Sequence, residues 1–232
     1  MKKIILVFLA LQLVACAELQ QVVNQLPGGV LTNEQIALGL KEALNNGVTN
    51  QVTTLGVKDG FFKNELVKIL LPEELQKVDN TLRQIGLGQI ADEGLKVLNR
   101  AAEDAVNEAI PIFVDAIKEI TFNDARNILM GDNNAATMYL KDKTTAALYQ
   151  KFQPIINNSF KEVGADVIWE DLITKYNNLP LTRDVNPDLT DYVTGEALKG
   201  VFTMVEVEER EIRDKISKRT SELLRRVFAL QD

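Results

Sequence analysis

Glu208-Glu209-x-x-Ile212-Arg213 is the densest grouping of reactive side chains in this chain. Adjacent carboxylates can share acid–base work or hold a hard cation. The same residues also suit a structural role. Glu209 stands four before Arg213, the favourable order for an ion pair on one helix face, and both carboxylates lie near an apolar seam marked by Val205 and Ile212. A buried pair of that kind is better read as fixing a packing arrangement than as a source of stability. The second grouping is Asn99-Arg100-Ala101-Ala102-Glu103-Asp104. Arg100 and Asp104 are four apart, which suits a solvated helix face, whereas the neighbouring alanines suit a polar network between closely packed helices. The third brackets Gly131, with Asp124-Ala125-Arg126 before it and Ala135-Ala136-Thr137-x-Tyr139 after it. Asp124 falls in the first turn of a short helix, where a carboxylate complements the dipole. Asp132, Asn133 and Asn134 are oxygen ligands, but their spacing is not that of an EF-hand loop, and no metal site is expected.

The residue types that are missing constrain the chemistry further. The chain has no histidine and one cysteine, Cys16. The commonest general base near neutral pH and the commonest metal ligand are therefore absent. Ser-His-Asp triads, Cys-His dyads, His-Glu-x-x-His zinc sites and the Glu-x-x-His pairs of di-iron bundles cannot be built. An enzyme here would run on carboxylates, Lys, Tyr, Ser or Thr, and Glu208, Glu209, Asp104 and Tyr139 or Tyr192 are the side chains available for a hydrolase or lyase. No cofactor motif is present.

The elements that would position these residues are helical throughout. Thr32-x-x-Gln35 resembles a capping box, and Ile36, Leu40, Ala43 and Leu44 follow at helical spacing, with Gly47 and Gly56 weakening the far end. Asp59-Gly60 marks a turn, and a second helix is expected over 73–85. From Gln89 to Ile120 an apolar stripe includes Leu95, Leu98, Ala102, Ala105, Ala109 and Phe113, with Pro111 placed to kink or divide it. Alanines at 101, 102, 105 and 109 allow a neighbouring helix to approach closely. Thr121 is a candidate N-cap for a helix through Met130, which Gly131 ends. Helices are then expected over 133–141, 143–163 (interrupted at Pro154) and 166–177. A loop follows at 178–189, and a last helical segment runs from Thr190 to Phe228. No alternating β pattern and no internal repeat occurs. The expected fold is all-α, a single-domain bundle of about eight to ten helices.

The N-terminus says where such a domain would work. Lys2 and Lys3, an apolar run from Ile4 to Val14 and a small residue describe a secretory signal peptide. The run is about 11 residues, too short for a bilayer core that needs roughly 20. Leu13-Val14-Ala15-Cys16 resembles the bacterial lipobox, in which the peptide is cut before a lipidated cysteine. The expected organisation is a signal peptide over 1–15, lipidated Cys16 and tether over 16–31, and the helical domain over 32–232. Two or three acyl chains meet the requirement for stable anchoring. Ala17 stands where a retention aspartate would, so the outer membrane is the expected address, facing periplasm or cell surface. The formal charge of −7 becomes −9 without Lys2 and Lys3. An acidic body disfavours nucleic acid as a partner.

A series of separated motifs resembles one bacterial, lipoprotein-like family. In order these are Gly39-Leu40-Lys41-x-Ala43-Leu44, Leu82-Arg83-x-x-Gly86-Leu87-Gly88, Asn99-Arg100-Ala101-Ala102-Glu103-x-Ala105 and Pro111-Ile112-Phe113-x-x-Ala116-Ile117. Asp124-Ala125, Ile128-Leu129-x-Gly131, Ala135-Ala136-Thr137-x-Tyr139, Tyr192-Val193-Thr194, Glu208-Glu209-x-x-Ile212-Arg213, Arg219-Thr220 and Val227-Phe228 complete it. The set resembles the DUF4197 family over about residues 32–228. Leu70 and Ile216 stand where the family pattern has Pro, and the second makes the terminal helix more continuous in expectation. The resemblance implies an exported all-α domain and brings no established catalytic residue. The expected function is a membrane-tethered domain that binds an envelope protein, or a small ligand in an interhelical groove. The alternatives are the carboxylate-based hydrolase or lyase and a carrier of apolar molecules between membranes.

Overall fold

The computed structural model describes residues 30–71, 88–178 and 188–232, with 76, 80, 83, 84, 86 and 186 between them. The signal peptide, Cys16 and the tether up to residue 29 lie outside the described residues. So do most of the expected helix over 73–85 and most of the loop over 178–189.

Helix α1 spans Asn33–Leu55 and begins in the expected capping box: the Gln35 N–H donates to Thr32 Oγ1 at 3.3 Å, and Gln35 Oε1 accepts from the Thr32 N–H at 3.1 Å. Its buried stripe is Leu40, Ala43, Leu44, Val48, Val52 and Leu55. Gly47 does not weaken it. A Cβ there would sit 3.1 Å from Glu208 Cγ, so the glycine admits a neighbouring helix at close range and packing offsets its poor propensity. The turn at Asp59-Gly60 forms as expected. Asp59 has φ +72°, and a Cβ on Gly60 would land 2.3 Å from the Leu55 carbonyl oxygen.

The expected stripe over 89–120 is two helices, α2 at Gly88–Val106 and α3 at Ala109–Lys118. The division falls just before Pro111, which sits in the first turn of α3 where an N–H would lack an intrahelical partner anyway. Ala101, Ala102, Ala105 and Ala109 are all buried. Helix α4, Phe122–Leu129, starts in a capping box of Thr121 and Asp124. The segments expected at 133–141 and 143–163 merge into one long helix, α5, Ala135–Val163. Pro154 lies on its exposed face, where water can serve the carbonyl that the missing N–H leaves free. Gly164, at φ +67°, ends α5, and α6 follows at Ala165–Asn177.

Helix α7, Leu189–Asp214, is capped by Asp188. The terminal segment is not continuous. It breaks at extended Lys215, passes a 3₁₀ turn at Ile216–Lys218 and resumes as α8, Glu222–Phe228. No proline is needed, because the Arg219 guanidinium folds back and donates to the Ile212 and Arg213 carbonyls at 3.1 and 2.7 Å. Those are orphan acceptors of the α7 end, and a cation suits that end of the dipole.

Among the described residues there are eight α-helices and no strand, and the fold is all-α. The helices share one core. Helices α5 and α7 form its central pair; α2 lies against both, α1 packs on α7 with α3, α4 and α8, and α3 also reaches α5. Phe113 of α3 meets Phe202 of α7 edge to face, ring centres 5.9 Å apart. Gly200 of α7 receives the buried Phe61 ring. No helix among the described residues is long and apolar enough to cross a membrane.

Candidate functional site

The candidate residues gather into separate groups, each built around a backbone segment that needs partners. Glu103 of α2 is buried and faces the turn after α1. Its Oε1 accepts from the Phe61 and Phe62 N–H groups at 3.0 and 3.2 Å, and its Oε2 from the Asp59 N–H at 3.1 Å. Arg100 donates to both Glu103 and Asp59. Lys63 pairs with Asp59 at 2.9 Å, and its ammonium holds the Asp59 carboxyl below the usual range. Asn99, fully buried, donates to the Leu95 and Ile69 carbonyls and accepts from the Ile69 N–H at 2.8 Å. These side chains fasten the irregular run 57–71 to α2 and replace the hydrogen bonds it lacks. Asp104 is exposed, and Ser159 of α5 donates to it at 3.3 Å.

The second group joins three helix ends. Glu209 of α7 accepts from the Ala136 and Thr137 N–H groups at 3.0 and 2.8 Å and from the Thr137 hydroxyl at 2.8 Å, which caps the start of α5. Arg213, one turn on, pairs with Glu209 at 2.8 Å and donates to the Leu129 and Ile128 carbonyls at 3.1 and 2.8 Å, which caps the end of α4. An anion thus meets a helix N-terminus and a cation a helix C-terminus, both favourable placements. Arg219 closes the end of α7 and pairs with Asp232 at 2.6 Å. Gln231 donates to the Leu129 carbonyl.

The remaining candidates lie apart from both groups. Asp124 serves the Thr121 cap, and the Thr121 hydroxyl and N–H lower its pKa. Tyr139 is half-buried beneath the Lys143 ammonium, 5.9 Å from its ring centre, and burial raises its phenol. Tyr192 donates to the Leu70 carbonyl at 2.5 Å.

Glu208 differs from its neighbour. It is buried to 8% exposure, and both of its polar contacts fall on Oε2: the Gln51 amide at 2.7 Å and Lys218 Nζ at 3.7 Å. It forms one wall of a cleft of about 330 Å³ between α1, α7 and the segment after it. Arg100 lines a different cleft, of about 720 Å³, with Lys58, Phe62 and Ser159, and Arg213 a third, of about 480 Å³, with Asp214 and Gln231. The candidate residues therefore do not form one network or one cleft. Glu103, Asp124, Glu209, Arg213 and Arg219 each serve a helix end or turn that lacks partners, whereas Asp104 and Glu208 meet side chains only. Among the described residues, no three Asp, Glu, His or Cys side chains gather as a metal would require.

Lys218, Gln51 and the Asn45–Asn50 stretch were not among the residues the sequence singled out. A signal for them exists. Asn45, Asn46, Gly47, Thr49 and Asn50 are poor helix formers crowded into under two turns of α1, and all of them line the Glu208 cleft.

A family model described as a protein of unknown function (DUF4197) matches residues 30–229. The chain belongs to that family. No curated protein and no solved structure matches it.

Proposed function

We propose that this DUF4197 protein is a lipid-anchored binding domain of the bacterial envelope, held at the membrane through Cys16 and engaging an envelope protein or a small ligand in a cleft between its helices. The reading is carried by the way its buried charges are used. Glu103 and Glu209 accept backbone N–H groups on both oxygens, and Arg213 and Arg219 donate to helix-end carbonyls. A carboxylate whose lone pairs are taken up by backbone donors is poorly placed to abstract a proton or attack a substrate. The clefts, by contrast, open between elements and mix charged with apolar linings, as a binding surface does. The interhelical spaces in the core are filled by side chains such as Phe113, Phe152 and Phe160, which speaks against a carrier with an apolar tunnel.

Two experiments test the reading. Cys16→Ser is expected to lose labelled palmitate and to leave the membrane pellet; a variant that still pellets, with unchanged processing, overturns the anchor. A photo-crosslinking residue placed in cells at Asn46 or Lys58 in the clefts above, or at Lys199 in a further cleft of about 380 Å³ that it lines with Tyr192 and Thr203, is expected to give adducts that the same residue at exposed Lys141 does not. A chain that yields no adduct from any cleft position overturns the binding role.

A further inference from the structure

We infer that the cleft between α1, α7 and residues 215–221 binds a small zwitterion carrying an ammonium and a carboxylate group, of the size and charge of a free α-amino acid. This rests on the reading of the domain as a binding module. Of the buried carboxylates, Glu208 alone keeps an open oxygen. Glu103 and Glu209 accept on both of theirs, whereas the Gln51 amide and the Lys218 ammonium both approach Glu208 at Oε2. Oε1 takes neither, and the residue lines the cleft. That oxygen is open to the cleft, where water or a ligand can donate to it. A ligand ammonium supplies that donor with a charge-assisted bond.

The matching cation is at the rim. Lys218 Nζ is 3.7 Å from Glu208 Oε2 and 2.5 Å from Glu211 Oε2, with 41% of its side chain exposed. An α-amino acid holds its nitrogen and carboxylate oxygens roughly 3 Å apart across three bonds. Its ammonium can therefore reach Glu208 while its carboxylate reaches Lys218. Asn46, Thr49 and Asn50 present amides and a hydroxyl along the same wall, suited to a polar side chain, and Gly47 lets the Glu208 stem lie close against α1. No aromatic ring lines the cleft, so nothing there would stack on a sugar or a base. The volume, about 330 Å³, accommodates one amino acid.

The test uses the full chain in detergent micelles, with each of the twenty free α-amino acids at about 10 mM, well above the millimolar range of weak binding. Thermal shift screens them and isothermal titration measures the hits. At least one is expected to bind. Glu208→Gln, N-acetylation of the ligand and methyl esterification of the ligand should each weaken binding at least about tenfold. Thr49→Trp, at an exposed position on the cleft wall, should abolish it without touching the buried charges, and it decides the matter if Glu208→Gln fails to fold. The proposal is overturned if none of the twenty binds, if N-acetylated and esterified ligands bind as well as the parent, or if Thr49→Trp leaves binding intact. Any of those outcomes leaves the crosslinking result at Lys58 and Lys199 standing by itself, so loss of this ligand and loss of the binding role are told apart.

Discussion

Arg213→Ala tests whether the buried pair on α7 fastens helix ends together. The pair is 5% exposed on both sides. Removing one partner of such a pair strands the other charge and costs about 3–5 kcal/mol. For a chain of this size each kcal/mol moves the unfolding midpoint by about 2–4 °C, which puts the expected drop at roughly 6–20 °C. Arg210→Ala is the control. It sits on the same helix in the same four-residue spacing, but its pair with Glu206 is 54% and 36% exposed, worth about 0–1 kcal/mol. Far-UV circular dichroism on heating reads both. Replacing Glu209 and Arg213 together by Leu is informative as well. If the two charges served only each other, the double variant would recover most of the loss. Here it also orphans the Ala136 and Thr137 N–H groups and the Ile128 and Leu129 carbonyls, so it should be no more stable than Arg213→Ala. A drop in Arg213→Ala no larger than the control's, or a double variant near wild type, refutes the reasoning.

Glu103→Ala removes the acceptor for the Asp59, Phe61 and Phe62 N–H groups; hydrogen exchange at those amides should accelerate at least about tenfold while the middle of α7 is unchanged. Gly200→Ala would place a Cβ 2.6 Å from the buried Phe61 ring, so its urea midpoint should fall by the equivalent of about 1–3 kcal/mol. The Tyr149 phenol donates to Asp191, which pushes its pKa from 10.0 up to about 12. Since the folded value lies above the unfolded one, this bond stabilises the fold fully below pH 10 and ceases to as pH rises toward 12. Absorbance titration should show Tyr149 ionising at about pH 12, and Asp191→Asn should return it toward its ordinary range.

Much of the fold is legible because its punctuation is local. Thr32-x-x-Gln35 and Thr121-x-x-Asp124 each place a hydroxyl and a reciprocal acceptor within four residues, and both become capping boxes. The features that escape are those whose cause lies far along the chain. Gly47 reads as a weak point in α1 until Glu208, far along the sequence on another helix, is seen packed against it. The break at Lys215 carries no glycine or proline. It depends on Arg219 reaching back to two carbonyls and on Asp232 neutralising it from beyond α8, a geometry that residue types alone do not specify.

Glu208 and Glu209 show the limit most sharply for the site. They are the same residue type at adjacent positions, about 100° apart around one helix, and any reading of spacing treats them as a unit. The fold divides them. Glu209 turns toward the junction of α4 and α5, where two free N–H groups and Arg213 take up both its oxygens. Glu208 turns toward α1, where the facing residues are Gly47, Gln51 and an asparagine-rich stretch, and only one oxygen is used. A carboxylate that meets backbone donors is fixed in place and fixes its surroundings. One that meets a glycine and a cleft retains capacity to bind. What separates a charge locked into packing from one with an open oxygen in this protein is thus the partner that tertiary packing presents to each side chain. The weak helix formers at Asn45, Asn46, Thr49 and Asn50, a local departure from what a stable helix wants, are the trace of that cleft left in the sequence.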